Sequence, residues 1–188
     1  MPTMPESRLK LTLEDYELFP DDGRRHELVD GEHVVTPAPS VRHQWVVGNL
    51  YVALRQAAMA ESLGKVFVAP LDVILSRHDV LQPDVLFVRR ERSDILRQRV
   101  EGPPDLAVEV ISPSSRRTDE LVKRRAYERL GVAELWIVDP ELGVVRIYRR
   151  EGEGFGRPLE LSAERSDAVE TPLLPGLRLE VAAVFAED

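Results

Sequence analysis

Three residues in the middle of the chain have types and settings suited to chemistry on a phosphate. Asp84 follows Pro83 in the run LQPDVLFV, Glu109 interrupts the apolar run PPDLAVEVI, and Lys123 lies in the polar segment beyond it. An ionised carboxylate in an apolar strand is costly unless it is paired or binds a metal. Two carboxylates on neighbouring strands offer the hard oxygen ligands that Mg2+ or Mn2+ takes. An ammonium beside them adds positive charge where a phosphoryl group gathers negative charge. Each residue also has a plainer use. Asp84 could be a turn residue after proline, Glu109 the partner of an arginine, and Lys123 one more cation beside Arg124 and Arg125. Their convergence is what favours a site.

Other chemistries are excluded or disfavoured. No cysteine is present, so thiolate nucleophiles, disulfides and thiolate metal sites are ruled out, leaving oxygen ligands and four histidines. There is no Walker-type glycine loop, no GxSxG elbow and no HExxH helix. A net charge of −8 argues against broad nonspecific nucleic-acid binding, which uses a basic footprint, though carboxylates gathered for a metal contribute to that charge. Arg89, Arg90, Arg92, Arg97 and Arg99, with Arg116, Arg117, Lys123, Arg124 and Arg125, are expected to place positive charge around the site. The apolar runs are too short to span a bilayer, and the first twenty residues lack a secretory pattern, so a cytoplasmic protein is expected.

The elements that must position these residues follow from periodicity. One domain over residues 1–188 is expected, with 1–11 as a loose leader. Thr12 and Asp15 form a capping-box pattern for a short helix reaching Phe19. RRHELVDGEHVVT reads as a hairpin turning at Asp30-Gly31, with Glu27 as an exposed strand carboxylate. Ser40 caps a helix from Val41 to about Ser62, ended by Gly64, and Val46, Val47, Leu50, Leu54, Ala57 and Ala58 face the core. His43, in its first turn, is expected at the surface, with reach to a phosphate or a metal-bound water as the alternative.

KVFVAPLDVIL is expected as a strand broken at Pro70, and Val80 to Val88 as the next strand. The strand holding Glu109 is apolar on both faces, as a central covered strand should be. Asp105, at its start, suits a strand entrance better than a metal partner. Thr118 is expected to cap a helix to Leu130, stopped by Gly131, with Tyr127 one turn past Lys123 on the same face. AELWIVD should then lie parallel to the Glu109 strand. VVRIYRR, a strand near Pro158 to Leu161, and a tail around Leu177 to Phe185 follow. The reading is an α/β fold with a mixed sheet.

At HELVDGE, TPAPSVRHQ, QPDVLFV, PPDLAVEVISPSS, YERLGVAELWIVDP and PGLRLEV the chain resembles the PD-(D/E)XK nuclease superfamily and, within it, the Uma-two family of restriction-endonuclease-like proteins. That resemblance implies a restriction-endonuclease-like core, a central mixed sheet flanked by helices, and a homodimer. It implies that Asp84 and Glu109 bind Mg2+ or Mn2+, that Glu27 is a further site acid, and that Lys123 is the catalytic lysine. It also implies DNA as the substrate. In the superfamily motif the lysine stands two residues after the second acid, where this chain has Ile111, so Lys123 must recover the role through space. A metal-dependent DNA endonuclease is therefore expected, with a noncatalytic binding or scaffolding module as the alternative.

Overall fold

The structure, a computed structural model, describes residues 9–112, 116 and 118–187. Arg117 and part of the expected loop before it lie outside the described residues, as does most of the expected leader. The short helix α1 (Leu13–Tyr16) carries the capping box between Thr12 and Asp15. Leu11, the last residue of that leader, donates its N–H to Gly31 O at 2.9 Å and is tied to the hairpin. β1 (Arg25–Val29) and β2 (Glu32–Thr36) form that hairpin. Asp30 and Gly31 turn it with φ of 50° and 78°, the left-handed backbone that Asp-Gly turns supply.

α2 (Val41–Ala60) begins at Ser40, whose hydroxyl accepts from His43 N–H at 3.2 Å. Gly64 does not end it. It opens β3 (Gly64–Val68), where an added Cβ would meet Val88 O and the Phe87 ring. β4 (Val73–Ser76), β5 (Asp79–Leu81) and β6 (Val85–Arg89) follow.

The two long strands expected here are both cut in the middle. β3 pairs with β6 in one sheet, and β4 pairs with β5 in another, so the hairpin bends from sheet to sheet. The break at Pro70 is as expected, but Val80 to Val88 is not one strand. Pro83 has no N–H for a ladder, and Gln82 turns its N–H to Glu27 Oε1 at 2.8 Å. Asp84 is thereby left at the junction of the two sheets.

β7 (Val100–Glu101) lies parallel to β4. β8 (Leu106–Val110) is central, antiparallel to β6 on one side and parallel to β9 (Glu134–Asp139) on the other, as the strand–helix–strand pattern predicts. β10 (Val144–Glu151), β11 (Gly154–Phe155) and β12 (Leu159–Ser162) extend that sheet. Among the described residues one sheet runs β2-β1-β5-β4-β7, and the other runs β11-β10-β9-β8-β6-β3 with β12 beside β10. β13 (Ala168–Val169) and β14 (Leu179–Glu180) pair separately.

Helices cover both faces of the larger sheet. Val46, Val47, Leu50, Leu54 and Ala58 of α2 pack on Val108, Val110 and Trp136, together with Val181 and Val184. On the opposite face Ala126 and Tyr127 pack on Ala107, Ile111, Leu135 and Ile137. The latter pair comes from α3 (Arg124–Arg129), which continues directly from a π-wound turn, Thr118–Lys123. Thr118, expected to cap this helix, already lies inside the winding. α4 (Val181–Val184) closes the described chain, and no described helix is long and apolar enough to cross a membrane.

Candidate active site

Side chains on alternate positions of a strand share a face, and along β1 this places Arg25 and Glu27 together at the junction of the two sheets. Glu27 is buried, not exposed as its strand context suggested. Its Oε2 meets Lys123 Nζ at 2.8 Å, while Oε1 holds Gln82 N–H. Lys123 points inward from the π-wound turn. Its Nζ also lies 3.3 Å from Glu109 Oε2 and 3.5 Å from Asp119 Oδ1. Asp119 and Tyr127 stand four residues before and after Lys123 on one helical face. The Tyr127 hydroxyl donates to Glu109 Oε1 at 2.6 Å.

Asp84 approaches the same place from the link before β6. Its Oδ2 accepts from Val110 N–H at 2.8 Å, which ties it to the end of β8 next to Glu109. His43 Nε2 lies 3.2 Å from Oδ2, and Arg25 Nη1 donates to Oδ1 at 2.8 Å. His43 is therefore a buried site residue, not the surface residue expected, because the first turn of α2 faces the sheet junction. Its Nδ1 has no hydrogen-bond partner. Arg25, His43, Asp84, Glu109, Asp119 and Lys123 all border one cavity of about 300 Å³.

Burial acts on these groups in opposite directions. Asp84 is held down at about 2: burial alone would raise it, but the His43 hydrogen bond, the Arg25 charge and Val110 N–H outweigh that. Glu109 is pushed well above the usual carboxylate range by burial, opposed by Lys123 and reinforced by Asp119, Asp84 and Glu27. Burial would lower Lys123, yet Glu109, Glu27 and Asp119 push it well above the ordinary lysine value, so it is a fixed cation. Burial and the charges of Glu109 and Glu27 likewise raise Tyr127, which stays a phenol and a donor.

Four buried carboxyls, Glu27, Asp84, Glu109 and Asp119, face two permanent cations, Arg25 and Lys123. Fully ionised, the set carries an excess of two negative charges, which a divalent cation would close. The oxygen inventory agrees. Asp84 Oδ2 is taken by Val110 N–H and His43, whereas among the described residues Oδ1 accepts from Arg25 alone. Glu109 Oε1 is taken by Tyr127, whereas among the described residues Oε2 faces only Lys123. Each acid thus keeps one oxygen with a lone pair to give, and the donor set fits a hard cation. Among the described residues no three His, Asp or Glu side chains already stand in a ligating arrangement, because Arg25 and Lys123 hold the carboxylates.

All four residues expected at the site, Glu27, Asp84, Glu109 and Lys123, are brought together. Of the basic residues expected around it, Lys123 is there, Arg117 lies outside the described residues, and several others pair with acids outside the cluster. Arg89 and Arg92 pair with Asp105 at the opposite end of β8, Arg99 with Glu17, Arg124 with Glu128, and Arg116 with Asp139. Asp105 is the strand-entrance acid expected. Arg25 and Asp119 were not anticipated. Their signals were spacing alone, Arg25 two residues before Glu27 on a strand and Asp119 four before Lys123 on a helix.

Mixed sheet, flanking helices and an acid–acid–lysine cluster at a sheet junction define a restriction-endonuclease-like α/β protein. The fold is similar to that of a crystal structure from Anabaena variabilis ATCC 29413, described as a "putative nuclease belonging to DUF820". The two are 18% identical, the match covers 93% of this chain and 97% of that one, and the TM-score is 0.80. The Uma2 family model, described as "Putative restriction endonuclease", matches residues 13–182, and the chain belongs to that family. No curated protein matches.

Proposed function

We propose that this protein is a Mg2+- or Mn2+-dependent endodeoxyribonuclease that hydrolyses phosphodiester bonds in the cavity at the sheet junction. The observation that carries the reading is the charge at the cavity, where Asp84, Glu109 and Asp119 in the wall, with Glu27 buried behind Lys123, outnumber the two fixed cations Arg25 and Lys123. Asp84 and Glu109 would hold the ion through the oxygens left with capacity. A divalent cation there supplies Lewis acidity toward a phosphoryl oxygen and a more acidic bound water.

The chain's own residues do the rest. Lys123, held by Glu27 and Glu109, offers fixed positive charge to the attacking hydroxide and the phosphoryl oxygens. Glu27 positions that ammonium, and Tyr127 and Val110 N–H fix the carboxylates of Glu109 and Asp84. The family description and the similar crystal structure support a nucleic-acid substrate. DNA as that substrate, action in the cytoplasm and a homodimer belong to the same reading. A noncatalytic module that keeps the fold is the second reading, favoured by the internal pairing of both acids with Arg25 and Lys123.

Metal-dependent nicking of plasmid DNA by the wild type, Lys123→Ala and Asp84→Ala separates the two readings. The nuclease reading expects loss in both variants, and equal activity in all three would remove it. Mn2+ at about a hundred times its Kd should also stabilise the wild type by about 2.7 kcal/mol in a thermal melt, and Asp84→Ala much less.

A further inference from the structure

Of the two permanent cations that border the cavity among the described residues, Lys123 and Arg25, only Arg25 has room to move. Its side chain is 19% exposed, against 2% for Lys123. Among the described residues Lys123 is held by three carboxylates, whereas Arg25 makes one ion pair, to Asp84 Oδ1. A second contact, from Nη1 to Gln82 O, is long at 3.4 Å. Because Val110 N–H and His43 occupy Asp84 Oδ2, an ion taking Asp84 must take Oδ1. Arg25 and the ion therefore compete for one oxygen. Once released, the guanidinium remains at the cavity, since Arg25 sits on β1 opposite Thr36, and both residues border that space. A planar guanidinium with paired N–H donors matches the geometry of a phosphate.

We infer that Arg25 is an exchangeable counter-ion: it holds Asp84 Oδ1 in the metal-free protein, yields it to the divalent cation, and then binds a phosphate of the nucleic-acid backbone. The inference rests on the proposed nuclease reading. It gives Arg25 opposite effects on the two ligands, hindering the metal and helping the substrate. An arginine that served only to hold the fold would help both.

The test uses the full chain as wild type, Arg25→Gln, Arg25→Lys and, as a control for the site, Asp84→Asn. Calorimetric titration with Mn2+ measures the metal without reference to activity, and plasmid nicking with varied DNA measures the substrate. Arg25→Gln should bind Mn2+ about tenfold more tightly, the worth of one charge-assisted hydrogen bond. It should also raise KM for DNA about tenfold. Arg25→Lys keeps the charge without the fork, so it should bind Mn2+ nearly as the wild type does and still lose affinity for DNA. Should Arg25→Gln fail to fold, the lysine variant carries the test through its split between metal and DNA. Mn2+ binding by Arg25→Gln no tighter than by the wild type would overturn the inference, as would an unchanged KM. If the wild type takes Mn2+ through Asp84 and Arg25→Gln changes nothing, this inference alone falls. If no protein takes Mn2+, the nuclease reading falls with it.

Discussion

The two ends of β8 each bury a carboxylate, and the contrast between them separates a structural acid from a candidate catalytic one. Asp105 enters the strand and Glu109 lies four residues on, both about fully buried. At Asp105, Arg89 Nε stands at 2.7 Å, Arg92 Nη1 at 3.1 Å, and Arg89 N–H at 2.9 Å. One acid thus faces two arginines, and it borders no cavity among those described. At Glu109 the balance is reversed. Other carboxyls crowd it, Lys123 is shared among three of them, and the cluster opens on a cavity. Burial alone therefore does not mark a site. A shortage of positive charge beside open space does, because that arrangement is stable only with a further cation or a retained proton.

The contrast can be broken most directly with Glu109→Gln and Lys123→Met, which should each lower metal-dependent nicking by about a hundredfold or more, as loss of a transition-state charge contact does. In Glu109→Gln this loss should come without lost stability at neutral pH. Glu109 has a raised value in the folded state, so its contribution is fully present below 4.5 and is lost as pH rises. The glutamine removes that loss, and urea melts of the metal-free protein should show a flatter pH profile. Asp105→Ala should do the opposite. It should cost about 3 kcal/mol in a urea melt, the low end for breaking a buried pair, because both arginines can turn to solvent. Nicking per folded molecule should be unchanged.

Acid sharpens the comparison within the site itself. Asp84 is depressed from 3.8 to about 2, so its contribution is present above 3.8 and is lost as pH falls toward 2. That loss amounts to about 2 kcal/mol by linkage. Asp84→Asn should abolish this segment of the stability profile. The smallest effect is expected from Arg92→Ala, about 1 kcal/mol or less, because Arg89 remains on Asp105 and Arg92 is partly exposed. A larger cost there, or any loss of nicking, would mean that the two ends of β8 are not independent.

Much of the frame was legible in local pattern. The Asp30-Gly31 turn, the Thr12–Asp15 box and the Ser40 cap are interactions within a few residues, so spacing alone predicts them. The central place of β8 followed from apolar residues on both its faces, and β9 lies parallel to it as the intervening helix required. Glu109 stood out because an acid in such a strand needs a partner. The cut at Gln82 to Asp84 was not legible, since it depends on Gln82 N–H finding Glu27 across the sheets. For the same reason Arg25 had no signal beyond its spacing, and His43 read first as a surface residue with the site only as its alternative. A histidine in a first turn and an arginine on a strand are ordinary surface residues until another element covers them.

By itself the sequence determined the hairpin turn, the helix caps at Thr12 and Ser40, the central place of β8, and that Asp84, Glu109 and Lys123 needed an explanation. Periodicity and capping are short-range, and they act wherever the residues are. Only the tertiary structure decided that Glu27 orients Lys123, that Arg25 and His43 divide the oxygens of Asp84, and that negative charge exceeds positive at the cavity. Those outcomes depend on distances between residues as much as about a hundred positions apart in the chain, and electrostatic strength in a buried site is set by distance and dielectric, which no spacing in the sequence records.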